Sequence, residues 1–133
     1  MSGLVVDTSA AVAILTGEEA GGALIDALDR TGPRLMSAGA LVELGIVLEA
    51  RFGPVGMAVA DRFVKAAGLE VVSVDCDQAG QAVAAWRRFG RGRHPAALNY
   101  GDCFTYALAA AESAPILCTG NDFAATDLEV IGD

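Results

Sequence analysis

Four acidic residues are spaced along the chain in settings where a carboxylate can do chemistry. Asp7 ends the apolar run Leu4-Val5-Val6, and Glu43 lies among apolar residues that recur at helical spacing. Asp102 stands in the first turn of a helical segment that follows Asn99, and Asp122 belongs to the turn Gly120-Asn121-Asp122. Carboxylates gathered in one cleft repel one another and take up protons unless a cation neutralises them. An all-oxygen donor set selects a hard divalent ion, magnesium or manganese. Such ions, about 3.5 to 4 Å apart if two bind, acidify a bound water and stabilise the leaving oxygen of an in-line phosphodiester displacement. That chemistry needs no nucleophilic side chain.

Each acid taken alone also has an ordinary role. Asp7 can cap the helix that starts near Ala10, although Thr8 and Ser9 offer the same function. Glu43 shares a helical face with Ala40, Ile46, Val47 and Ala50, which predicts a charge on a buried face; the alternative is a boundary residue reaching water or pairing with Arg51. Asp102 and Asn99 have the spacing of a capping box, and Asn121-Asp122 suits a turn. What favours chemistry is the prospect of convergence, which depends on the elements that carry the four residues.

Residues Gly3 to Asp7 read as a buried strand, followed by an N-cap at Thr8-Ser9 and an apolar helix Ala10 to Leu15. A second helix is expected over Glu18 to Arg30, closed by Thr31-Gly32-Pro33, and a brief strand over Leu35 to Ser37. Leu41, Leu44, Val47 and Leu48 mark a helix that stops at Gly53-Pro54, and Pro54 opens another running from Val55 to Ala67. Glu70 to Val74 is a strand, Asp77 caps a helix Gln78 to Phe89, and Gly90 to Pro95 is a loop. A helix from Tyr100 to Ala111 exits at Pro115, before a strand Ile116 to Thr119, a turn region Gly120 to Thr126 and a last strand Leu128 to Ile131. Strands alternating with helices imply right-handed crossovers and an α/β fold with a mainly parallel sheet covered on both faces. Ligands of such sheets bind at the carboxyl ends of the strands, where Asp7 and Asp122 fall.

The 133 residues fit one domain spanning 1–133, with 53% apolar residues to fill its core. No apolar run is long enough to cross a bilayer, and Asp7 interrupts the first apolar stretch too early for a secretion signal. The expectation is a soluble, cytoplasmic protein without a membrane partner. Cys76, Cys103 and Cys118 are odd in number and widely spaced, and His94 is the single histidine, so neither a disulfide framework nor a zinc site is indicated.

The net charge of −8 opposes general affinity for nucleic acid, but the charge is unevenly distributed. No acid lies between Asp77 and Asp102, whereas Arg87, Arg88, Arg91, Arg93 and His94 crowd into that stretch. They suit a clamp on nucleic-acid phosphates; Arg87 and Arg88 equally suit the C-terminus of a helix. Trp86 and Phe89 are expected to pack in the core rather than stack a base. A P-loop is absent, since the only lysine is Lys65, and Ser9 replaces the second aspartate that an aspartyl-phosphate transferase needs.

The series Val5-Val6-Asp7-Thr8-Ser9-Ala10, Glu43, Asn99-Tyr100-Gly101-Asp102-Cys103 and Thr119-Gly120-Asn121-Asp122-Phe123 with Thr126-Asp127 resembles the PIN-domain ribonucleases, and among them the VapC-type toxins of toxin-antitoxin pairs. The resemblance covers essentially the whole chain, and order and spacing together carry it. It implies a PIN-like three-layer α/β/α fold and a magnesium- or manganese-dependent endoribonuclease, with Asp7, Glu43, Asp102 and Asp122 as the metal-binding acids. It also implies that Thr8, Ser9, Asn99, Asn121 and Asp127 orient those acids or bound water. A homodimer, inhibited by a small VapB-like antitoxin lying across the cleft, is the implied assembly. The apolar helices Ala10 to Leu15 and Leu41 to Leu48 are candidates for the antitoxin groove, although such faces are usually plain core. The alternative is a module of the same fold that binds RNA or protein without cleaving.

Overall fold

The computed structural model describes residues 3–29 and 32–132. Five parallel strands form one sheet in the order β3-β2-β1-β4-β5. They are β1 (Leu4–Val6), β2 (Arg34–Ser37), β3 (Glu70–Val72), β4 (Ile116–Cys118) and β5 (Val130–Gly132). The helices are α1 (Thr8–Leu15), α2 (Gly21–Ala27), α3 (Ala38–Phe52), α4 (Gly56–Ala66), α5 (Cys76–Phe89) and α6 (Tyr100–Glu112).

Strand residues alternate between two cores, as the two-residue period requires. Leu4, Val6, Met36 and Leu117 pack against α1 to α4, whereas Val5, Leu35, Ile116 and Cys118 pack against α5 and α6. This division follows from handedness. The chain first steps outward from β1 to β2 to β3, then returns to place β4 beside β1, and right-handed crossovers in opposite directions put their helices on opposite faces. The strand order therefore reverses between β1 and β4, which opens a crevice at their carboxyl ends. Asp7 leaves β1 at that point, and the turn bearing Asp122 leaves β4 there.

Several local expectations need correction. Asp7, not Thr8 or Ser9, is the N-cap of α1, because its carboxylate accepts the Ser9 N–H at 3.0 Å. Asp75 rather than Asp77 caps α5, accepting the Gln78 N–H at 2.8 Å while Asp77 sits in the first turn. The second helix starts only at Gly21, and Glu18 belongs to the preceding turn, where its N–H bonds the Ala13 carbonyl. That helix ends at Ala27, short of the expected end at Arg30; Arg30 itself and the Thr31 of the stop signal lie outside the described residues. The last strand begins at Val130 rather than Leu128, since a 3-10 turn at Phe123–Ala125 and the bond from the Leu128 N–H to the Thr126 hydroxyl occupy the segment before it.

Candidate active site

Asp7 is the innermost acid, with 3% of its surface exposed. Its N–H donates to the Leu117 carbonyl at 2.9 Å, so the crevice between β1 and β4 fixes its backbone. One carboxylate oxygen takes the Ser9 N–H, and the other accepts the Thr105 hydroxyl at 2.7 Å. Thr105 is fully buried on α6, three residues after Asp102, so both project from one helical face. That face is thereby tied to the end of β1. Sequence reasoning did not single out Thr105; its only signal was a polar side chain within the apolar run Cys103 to Ala111, one turn beyond an acid.

Asp102 is held by the capping box expected from its spacing. The Asn99 side chain accepts the Asp102 N–H at 2.8 Å, and the Asp102 carboxylate accepts the Asn99 N–H at 3.0 Å. Burial still dominates and pushes the Asp102 carboxyl up to about 7; the Asn99 N–H opposes the rise, while the charges of Asp7, Asp122 and Glu43 add to it. The helix-borne acids and the strand-end acids thus share one neighbourhood. Cys118, at the end of β4, feels Asp7, Asp102 and Asp122 as well, and burial first and these charges second push its thiol up to about 12.

Glu43 reaches the same place by a route different from the expected one. The buried stripe of α3 is Ala40, Leu44, Gly45 and Leu48, whereas Ile46 is 65% exposed and Ala50 is exposed. Glu43 therefore lies half-buried at the margin of the packed face instead of within it. Its carboxylate is seated over Gly101: a Cβ at that position would come within 2.5 Å of Oε2. The absence of a side chain at Gly101 is what admits Glu43 beside Asp102. Asp122 is exposed on the turn between β4 and the 3-10 turn, which buried Phe123 anchors.

The accompanying polar residues divide by what they touch. The Thr8 hydroxyl donates to the Ala40 carbonyl at 3.0 Å and joins the starts of α1 and α3. The Ser9 hydroxyl accepts the Thr119 N–H at 3.1 Å and clamps the crevice across β1 and β4. Asn121 is exposed beside Asp122. Asp127 is engaged on the other side of α6, where it accepts the Tyr106 hydroxyl and pairs with Arg88 at 3.6 Å. Its contacts hold the segment after Asp122 against α5 and α6.

The basic stretch also has local ties. The Arg88 guanidinium lies over Phe89 and that of Arg93 over Trp86, with the Arg93 Nε–H donating to the Arg87 carbonyl. His94 accepts the Ala96 N–H through Nδ1 at 3.0 Å and meets the Phe89 ring edge-on. Arg91 lines a groove that leads toward Asn99. Phe89 is buried as expected, but Trp86 is 45% exposed on the groove wall, contrary to a core assignment.

Among the described residues, no arginine, lysine or histidine forms an ion pair with any of the four acids, and no three ligand-type side chains are already closed around a single ion position. The donor chemistry nevertheless suits a hard divalent cation: the donors are all carboxylate oxygens, and burial and like charge leave Asp102 short of positive charge. No helix among the described residues is long and apolar enough to cross a membrane.

Comparison with known proteins agrees with this architecture. The PIN domain family model matches residues 4–128. The chain is 45% identical over 128 residues to a protein named ribonuclease VapC from Mycolicibacterium smegmatis, covering 96% of this chain and 99% of that one. It is 43% identical over 128 residues to ribonuclease VapC30 of Mycobacterium tuberculosis, covering 96% and 98%. In fold it is similar to M. tuberculosis VapC20, described as a sarcin-ricin loop cleaving toxin, with a TM-score of 0.78, 19% identity and coverage of 98% and 99%. Rickettsia felis VapBC2, solved bound to a promoter DNA fragment, gives a TM-score of 0.74 at 16% identity over 98% and 99%. With the family model and the VapC relatives both spanning nearly its whole length, the chain belongs to the PIN-domain family, in its VapC branch.

Proposed function

We propose that this chain is a metal-dependent endoribonuclease acting in the cytoplasm as the toxin of a toxin-antitoxin pair. The observation that carries the reading is the shared electrostatic neighbourhood of Asp7, Glu43, Asp102 and Asp122 at the reversal point of the sheet. The VapC relatives and the toxin-antitoxin complexes among its structural neighbours supply the biological setting. Asp7, Glu43, Asp102 and Asp122 would hold magnesium or manganese, which when bound supplies an acidified water and charge neutralisation for phosphodiester hydrolysis. The protein's own part is positioning. Ser9 and Thr105 fix Asp7, Asn99 fixes Asp102, and Gly101 makes room for Glu43.

Arg87, Arg91 and Arg93, with Arg88 and His94 beside them, are the side chains proposed to meet RNA phosphates, and the chain is proposed to work as a single domain and a homodimer. A VapB-like antitoxin is the proposed inhibitor. Exposed apolar side chains on α3 and α4, including Val42, Ile46, Phe52 and Met57, leave surface for protein partners. The test is cleavage of single-stranded RNA by the purified chain with magnesium or manganese. Loss of cleavage on chelation and in Asp7→Asn is expected. Metal-independent cleavage, or full turnover by Asp7→Asn, overturns the reading.

A further inference from the structure

Three of the four acids have fastenings of their own: Asp7 accepts the Ser9 N–H and the Thr105 hydroxyl, Asp102 accepts the Asn99 N–H, and Glu43 rests over Gly101. Asp122 differs. It is exposed, its side chain does not cap the 3-10 turn that follows it, and Gly120, two residues earlier, takes a left-handed φ of 81°. Its position is therefore set by the chain on either side. Upstream, the Thr119 N–H donates to the Ser9 hydroxyl at 3.1 Å. Downstream, Phe123 is buried, and the N–H and hydroxyl of Thr126 both donate to its carbonyl, at 3.0 and 2.6 Å. The Leu128 N–H donates to the Thr126 hydroxyl in turn, so residues 123–128 close on themselves with Asp122 joined to their leading end.

Besides Phe123, the side chain that fastens this turn to the helices is Asp127. One of its oxygens accepts the Tyr106 hydroxyl, and the other faces the Arg88 guanidinium at 3.6 Å. Tyr106 stands on α6, four residues after Asp102 and one after Thr105. At 3.6 residues per turn, Thr105 and Tyr106 leave the helix about 100° apart, on either side of the line through Asp102. Thr105 reaches the end of β1 and Tyr106 reaches the segment beyond β4, so one helix references both strand-end acids to Asp102. The Tyr106 ring is buried 5.3 Å from that of Phe89, in the same core as Phe123, which fixes where the hydroxyl stands. Burial first, and the bond and charge of Asp127 second, push the phenol up to about 12 against the opposing charge of Arg88, so it remains a donor near neutral pH. The ion pair is the weaker tie, because both of its side chains are half exposed or more and such pairs contribute little.

We propose that Tyr106 is a positioning residue for Asp122: its hydroxyl, through Asp127, fixes the turn after β4 so that Asp122 can join Asp7, Glu43 and Asp102 in holding a divalent cation, and Arg88 supports the tie from α5. The inference rests on the metal-dependent ribonuclease reading and deepens it. It gives Asp127 the task of an acceptor in place of a metal ligand, and it gives Arg88 a task besides phosphate contact.

Titrating the full chain with manganese in the absence of RNA, and following the free ion by electron paramagnetic resonance, separates this role from substrate binding. Tyr106→Phe keeps the buried ring and removes only the hydroxyl; it is expected to weaken manganese binding on the order of tenfold. Asp127→Ala, a change at a half-exposed side chain that leaves the core alone, should give the same loss. Asp127→Asn keeps an oxygen for the Tyr106 hydroxyl and should stay within about threefold of wild type, as should Arg88→Ala. The double variant Tyr106→Phe with Asp127→Ala should be no weaker than either single one, since both cut the same tie. In an Asp122→Ala background, which has no ligand left for the tie to place, Tyr106→Phe should no longer change manganese affinity. Hydrogen exchange of the metal-free chain gives a second readout: Tyr106→Phe should quicken it over residues 119–127 and leave α6 unchanged. Manganese binding that is unaltered by Tyr106→Phe, or weakened equally with and without Asp122, overturns the positioning role and leaves the ribonuclease reading intact. A wild-type chain that binds no manganese strikes the metal-dependent reading itself, and the positioning role with it.

Discussion

Asp102→Asn is the most informative single change, because it separates the electrostatic cost of the cluster from its function. The carboxyl is raised from 3.8 to about 7, chiefly by burial and secondarily by Asp7, Asp122 and Glu43. At about 1.4 kcal/mol per pH unit, the full shift sets an upper bound near ~4 kcal/mol for holding this charge in the folded chain at high pH. Solvent screening of a partly accessible group lowers the realistic figure to about 1–3 kcal/mol. The sign follows from proton uptake. Between about pH 4 and 7 the folded chain keeps a proton on Asp102 that the unfolded chain has released, so metal-free stability falls as pH rises through this window and levels off above it. Asparagine retains an oxygen for the Asn99 N–H, so the capping box survives the substitution. In chelator at pH 8 the variant should therefore melt about 4 to 12 °C above wild type, at roughly 4 °C per kcal/mol for a chain of this length. At pH 4 the gap should close. Calorimetric scans across pH measure both, and a variant that melts at or below the wild type in chelator at pH 8 refutes the electrostatic account of the site.

Other perturbations test neighbouring parts of the same geometry. Saturating magnesium or manganese should raise the wild-type midpoint and leave that of Asp102→Asn nearly unmoved, as calorimetry would show, because a ligand stabilises only the state that binds it. Thr105→Val should cost about 1–3 kcal/mol in denaturant unfolding and lower kcat on the order of tenfold or more, since it removes a buried bond to a charged Asp7. Gly101→Ala should change the melting temperature little but weaken metal binding in titration calorimetry on the order of tenfold or more, because its Cβ displaces only the mobile end of Glu43. Timed alkylation at pH 8 should label exposed Cys76 first and spare buried Cys118, whose thiol is pushed up to about 12 by burial first and the same acids second.

The fold was legible wherever a single physical cause set the pattern. The run Leu4-Val5-Val6 before Asp7 reads as a buried strand because both faces of a parallel sheet are covered, and the structure puts alternate residues into opposite cores. Element ends were less legible because they depend on which of several competent caps wins. Asp7 caps α1 despite two hydroxyl residues after it, and Asp75 displaces Asp77, because a helix begins where the incoming strand can end rather than where the nearest capping residue lies. At the site, the acids were visible from their types and spacing. Thr105 was not, since a threonine in an apolar helix carries no mark of the carboxylate it meets 98 positions earlier. Glu43 was noticed for an incorrect reason: it is not embedded in the buried face of α3, and what brings it to the cluster is a missing side chain on another helix.

The charge distribution links metal and substrate more closely than either does alone. A chain of net charge −8 with four acids at its crevice repels a phosphodiester at the point proposed for cleavage. Four of the chain's eight arginines lie in the segment 87–93, away from those acids in sequence, and two of these four are stacked on aromatic rings instead of being paired with the cluster. They can attract the flanks of an RNA strand, but they cannot cancel the repulsion at its centre. On the proposed site, cations held by Asp7, Glu43, Asp102 and Asp122 would invert the sign there, so metal and RNA should bind with positive coupling, each raising the affinity of the other by the same factor. Titrating RNA against the chain at several magnesium concentrations below saturation measures that factor. Affinities for RNA that do not change with magnesium at constant ionic strength would place the strand's phosphates away from the acids and remove the reason for gathering four carboxylates at the reversal point of the sheet.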